Sequence, residues 1–163
     1  MMVLVAVTVI GILVEAAHET TWRIVQTDRE AELLFRGLAY RHAIESFYKS
    51  NGAYPRELED LMKDPRSPGR RHLRVLYPDP MAKNEKKEWA LVRAKDGGIA
   101  GVVSTGEGEP LKKANFPKEI EKFASAKTYR DWVFEYVPLP VPVGTRPPTL
   151  LTPGNAPSPA KTF

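Results

Sequence analysis

The chain has 163 residues, 42% hydrophobic content, no cysteine, and 24 basic against 20 acidic residues, for a net charge of +4 and a pI near 9.3. That length suits one modest domain with appendages. The absence of cysteine excludes a disulfide framework, a thiolate metal site and a cysteine nucleophile, and the near-even charge balance permits contact with anionic partners without requiring it.

Residues 1–14 carry no charge and lead, without a turn signal, into a charged, helix-favouring stretch that runs to Ser50. A helix crossing a hydrocarbon layer of about 30 Å needs about 20 apolar residues. This run is shorter, and Ala16 and Ala17 extend it only past Glu15, so it has the form of a signal-peptide core or of a membrane helix without its start. No Lys or Arg precedes it, and the helical pattern continues through Ala16-Ala17, which favours an anchor over a cleaved signal.

From Glu15 to Ser50 only Gly37 interrupts helix-friendly composition. At about 100° per residue, Leu33, Gly37, Tyr40, Ile44 and Phe47 form one stripe, and Ala31, Phe35, Leu38 and His42 a second on roughly the opposite side. A helix lying on one core needs one apolar face, so two faces predict two partners. Traced back into the apolar N-terminus, the helix reaches about 50 residues or about 75 Å, longer than so small a head can cover.

Lys49-Ser50-Asn51-Gly52 ends the rod, a last-turn cation followed by residues that tolerate a left-handed backbone. A short second helix is predicted from Ala53-Tyr54-Pro55, with Leu58, Leu61 and Met62 as its apolar face. A turn-rich basic stretch follows, and Pro78 and Pro80 then exclude a central strand. Trp89–Ala94 and Ile99–Ser104 read as a hairpin about Lys95-Asp96-Gly97-Gly98. A short amphipathic helix is predicted at 117–123, then a third strand over Trp132–Val137 with Trp132, Phe134 and Tyr136 on one face. Eight prolines among the last 26 residues favour an extended, polyproline-like tail that builds no core.

The order of these pieces carries a resemblance. Ile10-Gly11-Ile12-Leu13, the charged helix with Arg29-Glu30-Ala31-Glu32-Leu33-Leu34, Ile44-Glu45-Ser46-Phe47-Tyr48 and Asn51-Gly52-Ala53-Tyr54-Pro55 resemble the type IV pilin and type II secretion pseudopilin superfamily. Leu58-Glu59-Asp60-Leu61, Arg71-His72-Leu73-Arg74, Leu76-Tyr77-Pro78-Asp79-Pro80-Met81, Gly97-Gly98-Ile99-Ala100-Gly101-Val102 and Tyr129-Arg130-Asp131-Trp132 resemble a branch related to the major pseudopilin. The likeness covers roughly residues 3–137.

The resemblance implies a single-pass protein of the bacterial inner membrane, head in the periplasm, that polymerises through its N-terminal helix with itself and other pseudopilins. It also implies cleavage after a glycine by a prepilin peptidase, and a glutamate at the fifth mature position. Aligned on Gly11, the chain starts a few residues inside that mature form, and Met2 stands near the place of the glutamate. The expected assembly interface comprises Leu4, Val7, Ile10, Gly11, Val14, Glu15, Leu33, Gly37, Tyr40 and Ile44. Lipid tails are as apolar as leucine, so close packing at Gly11 and charge pairing must supply the preference for neighbours. Major pseudopilins often bind calcium near the third strand through aspartates; the corresponding Gly106-Glu107-Gly108-Glu109-Pro110 has none, and no cofactor is expected.

His18, His42 and His72 lack ligand-like spacing, and no clustered titratable groups suggest an enzyme. Arg66, Arg70, Arg71 and Arg74, with His72, form a basic cluster that reads first as a solvated, turn-rich surface and second as a patch that pairs with an acidic one on another subunit; without interleaved aromatics, nucleic acid comes third. The expected protein is therefore α+β: a long N-terminal helix (1–50) packed on a small three-stranded antiparallel sheet within a head (51–137), with a Pro-rich tail (138–163). Its expected role is a filament subunit. The alternative is a non-polymerising, membrane-anchored periplasmic binding module that uses the Trp89 and Trp132 region as its ligand surface.

Overall fold

The computed structural model describes residues 2–83 and 85–138, with side chains described from Thr21 onward. The proline-rich stretch 139–163 and the side chains of Leu4, Val7, Ile10, Gly11, Val14 and Glu15 lie outside the described residues.

One helix, α1 (Met2–Asn51), supplies the frame. Glu30, Leu33, Gly37, Tyr40, Ile44 and Phe47 recur at alternating steps of three and four and are all buried, the spacing that keeps one helical stripe against a flat partner. The helix stops where expected: Gly52, at φ +67°, turns the chain left-handed, and its N–H donates to the Tyr48 carbonyl at 2.7 Å.

The partner is an antiparallel sheet in the order β1 (Ala90–Arg93), β2 (Ile99–Val103), β3 (Val133–Glu135). The β1–β2 turn forms as the Asp-Gly pair predicts: Gly97 has φ +81°, its N–H donates to the Ala94 carbonyl at 3.0 Å, and the register shifts between Val92 and Arg93. Val102 pairs with Phe134, both fully buried, so the middle of the sheet faces the helix. Trp132 stacks on Phe123 at 5.6 Å between centroids, with Phe116 and Tyr129 edge-on around it.

Helix and sheet approach closely at Gly37. A Cβ at that position would lie 2.4 Å from the Phe134 ring, so only glycine admits the ring to the helix surface.

Two short helices differ from expectation. The segment after Tyr54 forms only a 3₁₀ turn at Leu58–Leu61, because the Asp60 carboxylate accepts the Arg56 and Glu57 N–H groups and delays the start, while the Pro55 carbonyl accepts the Ile99 N–H. Lys118–Ser125 is 3₁₀ rather than α, broken at Ile120; the tighter turn aligns Ile120 and Phe123, three apart, into the same core. A further 3₁₀ turn, Tyr129–Asp131, carries no apolar periodicity and is held by Asp131, which accepts the Lys127 and Thr128 N–H groups.

Gly37→Ala is expected to destabilise the fold by about 1 kcal/mol net: overpacking against a buried ring costs about 2 kcal/mol, and the better helix propensity of alanine returns about 1. Urea unfolding checks the sign; a gain in stability would place Phe134 away from the helix.

Candidate functional site

Leu33, Gly37, Tyr40 and Ile44, expected to meet neighbouring subunits, instead pack within the chain's own head. The sheet and the loops around it enclose that stripe completely, so these four are core residues, not interface residues. The opposite side differs. Phe35 is 60% exposed, although its edge reaches the Tyr77 ring, and Ile24 is 58% exposed; Ala31 is exposed between them. Leu38 is half-buried against the core, and exposed His42 meets Glu119, which Arg41 also engages. The second stripe is thus partly covered at Leu38 and open from Phe35 back to Ile24. Trp22 and Val25 are also exposed, on other sides of the same helix.

Three buried carboxylates hold the loops to this frame, and sequence reasoning assigned none of them a role. Glu30, on α1, accepts the N–H groups of Leu111 at 2.6 Å and Lys112 at 3.0 Å and the Tyr129 hydroxyl at 2.5 Å. Burial, then the Glu30 carboxylate, push the Tyr129 hydroxyl well above the usual phenol range, and the Gln26 amide donates to the same oxygen. Asp79 accepts from Ser104 Oγ, from the N–H and hydroxyl of Thr105, and from the Met81 N–H. The acid-rich context of Glu30 and the two prolines flanking Asp79 were the only signals in the sequence, and neither announces burial.

Asp64 closes the third clasp. Burial by itself raises its carboxyl, but hydrogen bonds from Asn51 Nδ2 (2.9 Å), the Arg66 N–H (2.8 Å), His72 and the Ser67 N–H outweigh burial and hold the pKa down at about 2. His72 Nε2 lies 3.2 Å from Asp64 Oδ2, and Ser46 Oγ lies 2.8 Å from His72 Nδ1. With the Nε2 proton directed at the ionised aspartate, Nδ1 accepts from the serine. The order of groups is that of a nucleophilic relay. Ser46, however, lies inside α1, where each N–H is bonded to the carbonyl four residues back, so the helix itself offers no free N–H to an oxyanion there. The arrangement ties the 64–72 loop to the end of the rod.

The clasp gathers part of the basic cluster at the end of α1. The His72 side chain is buried, Arg66 donates to the Asn51 carbonyl and Arg70 to Ser50 Oγ, while Arg71 and Arg74 are exposed. In the loop where calcium was weighed, Glu107 pairs with Lys83 and Arg130, and Glu109 with Lys113; among the described residues no group of three or more metal-ligating side chains gathers. Of the two rings of the binding-module alternative, Trp132 is enclosed in the aromatic core at 0% exposure, whereas Trp89, at 7%, shows part of its surface in the wall of a hollow. That hollow, of about 480 Å³, runs along β1, with Leu58, Leu76 and Leu91 on its walls.

Among the described residues no helix is long and apolar enough to cross a membrane. Comparison with known proteins finds no matching family, no matching curated protein and no matching solved structure. The class defined by the coordinates is thus one of architecture, an α+β protein with a long N-terminal helix laid across a three-stranded antiparallel sheet.

Two outcomes test the clasps. The Asp64 pKa is depressed in the folded state, so its contribution is complete above the ordinary carboxylate value of about 4 and is lost as pH falls through about 2. Urea midpoints measured down that range should fall more steeply for the parent chain than for Asp64→Asn. Glu30→Ala leaves three donors without their acceptor and is expected to cost on the order of 3 kcal/mol. Hydrogen exchange at the Leu111 and Lys112 amides should accelerate; unchanged protection there would mean the loop is held by something else.

Proposed function

We propose that this protein is a structural subunit, pilin- or pseudopilin-like, that polymerises through its N-terminal helix into a filament of a type II secretion or type IV pilus-like machine. The observation that carries the reading is the length of α1 beyond its head. The 107–113 loop of the head shares a hollow with Trp22, and the helix extends a further 20 residues toward the N-terminus, Met2–Thr21, about 30 Å. That extension begins with an uncharged run and reaches the head where Trp22, Ile24 and Val25 are exposed. One side of the rod is fixed to its own head, and the other retains Ile24, Ala31 and Phe35 for a neighbouring rod.

On this reading the apolar run is held in the bacterial inner membrane before assembly, with the head in the periplasm and other copies or related subunits as partners. The resemblance in residue order, including the Asn51-Gly52-Ala53-Tyr54-Pro55 exit from the helix, supports the family assignment. The aromatic core and the three carboxylate clasps give the head a framework without disulfides.

Removal of residues 1–28 should yield a monomeric head that no longer assembles, as judged by sedimentation. In the full chain, Phe35→Glu should abolish assembly with little change in the urea midpoint, since that ring is mostly exposed. Filaments that form normally from the Phe35→Glu chain would overturn the proposed rod-to-rod face.

A further inference from the structure

The N-terminal pole of the head has a chemistry that filament assembly alone leaves unexplained. Beside α1, residues 78–83, Lys87 and Glu107 border a hollow of about 670 Å³ whose lining holds Arg29, Arg36, Lys83 and Lys87 against the single carboxylate of Glu107. Arg36 is oriented by Glu32 and the Pro78 carbonyl, and Lys83 shares Glu107 with Arg130; Arg29 and Lys87 add exposed charge on opposite walls. With Arg36 paired to Glu32 and Lys83 to Glu107, Arg29 and Lys87 carry the cationic excess, which suits a phosphate-bearing ligand.

The position along the helix says where the phosphate comes from. Trp22 is 54% exposed and followed by exposed Arg23, the amphipathic pairing that settles at a membrane–water boundary. The uncharged run ends at Val14 and, past Glu15, the small apolar pair closes at Ala17, with Trp22 five residues beyond it, about 7.5 Å of helical rise. That matches the headgroup layer, about 5–7.5 Å on each side of a bilayer. Arg29 stands about 10 Å farther along, within about one Debye length of such a surface.

We propose that Trp22 and the cationic hollow of Arg29, Lys83 and Lys87 form a docking surface for the anionic headgroups of the bilayer in which the chain is anchored. The inference rests on the membrane-anchored part of the reading above. Trp22 seats in the headgroup layer while the hollow faces its phosphates, which sets the tilt of the head on the membrane before assembly. Departure from the membrane then requires these charge contacts to be exchanged, so lipid composition tunes how readily a subunit is released into a filament.

The chain has no cysteine, so Ala82→Cys, at the rim of the hollow, gives a single labelling site. The labelled full chain is reconstituted sparsely into vesicles of phosphatidylcholine alone, or with phosphatidylglycerol added, containing a headgroup-nitroxide lipid that quenches the label on approach. Quenching is expected with phosphatidylglycerol, reversed by high salt, and lost in the Arg29→Gln/Lys83→Gln/Lys87→Gln chain. A cation at an anionic surface changes the ratio of docked to undocked heads about fivefold, and less at the distance of Arg29, so the triple substitution is expected to lower the ratio about tenfold. Trp22→Ala should shift the ratio the same way in both salt conditions.

Equal quenching in the two lipid compositions, with the chain floating with both, would overturn this surface and leave the anchor intact. Quenching that follows protein density instead of phosphatidylglycerol would assign the hollow to an acidic protein partner, and release by inorganic phosphate at matched ionic strength would assign it to a free anion; either overturns the proposal. A chain that floats with neither kind of vesicle would overturn the anchored reading and this surface together.

Discussion

The seating of the Phe134 ring on α1 at Gly37 sets the geometry of the whole head. A side chain at position 37 would hold the sheet away, and its absence lets the paired residues Val102 and Phe134 approach the helix. Leu33 and Ile44 then close on either side, and Trp89 and Phe123 meet the Phe134 ring edge-on at 6.2 and 5.1 Å. Each fully buried large apolar side chain contributes about 1.5–3 kcal/mol, so a short sheet gains from one helix what three strands alone could not supply.

A head built on so few regular elements has long connections, and these need anchors. Apolar contacts are non-directional and hold a loop's position loosely. Carboxylates that accept several backbone N–H groups hold it in one geometry. Glu30, Asp64 and Asp79 do this at three separate places, each joining a loop to α1, its exit, or β2 and the residues after it. A buried charge is costly unless its lone pairs are filled, which explains why each has at least three donors. Trp132 Nε1 is the contrary case, a buried donor without a partner among the described residues, enclosed instead by Phe116, Phe123 and Tyr129.

Periodicity made the frame legible. The step of three and four from Leu33 to Phe47 marked the buried stripe, Asp96-Gly97 marked the turn, and alternation at Trp132, Phe134 and Tyr136 marked the third strand. Partners were less legible than patterns. The same stripe that packs the head was expected to meet other subunits as well, because sequence spacing reveals that a face is apolar and not what covers it. The 3₁₀ turns at Leu58 and Tyr129 arise from aspartates that capture local N–H groups, a choice made by side-chain geometry and invisible to hydropathy. Burial of Trp89 and His72 likewise depends on elements distant in sequence.

The open side of the rod bears on where a filament would gain its stability. On the filament reading, the uncharged run would leave lipid for a bundle of identical helices, one apolar environment for another, so hydrophobic transfer would contribute little and close packing would decide. The water-exposed stretch is different, because Ile24, Ala31 and Phe35 lie near one azimuth of α1 and bury area that was in contact with solvent, at about 25 cal/mol per Å². On the filament reading, the hydrophobic driving force therefore acts just below and alongside the head, not within the membrane. Because the inner stripe fixes the rotation of α1 against its own sheet, it also fixes which azimuth carries that force, and so the direction from which the next subunit approaches.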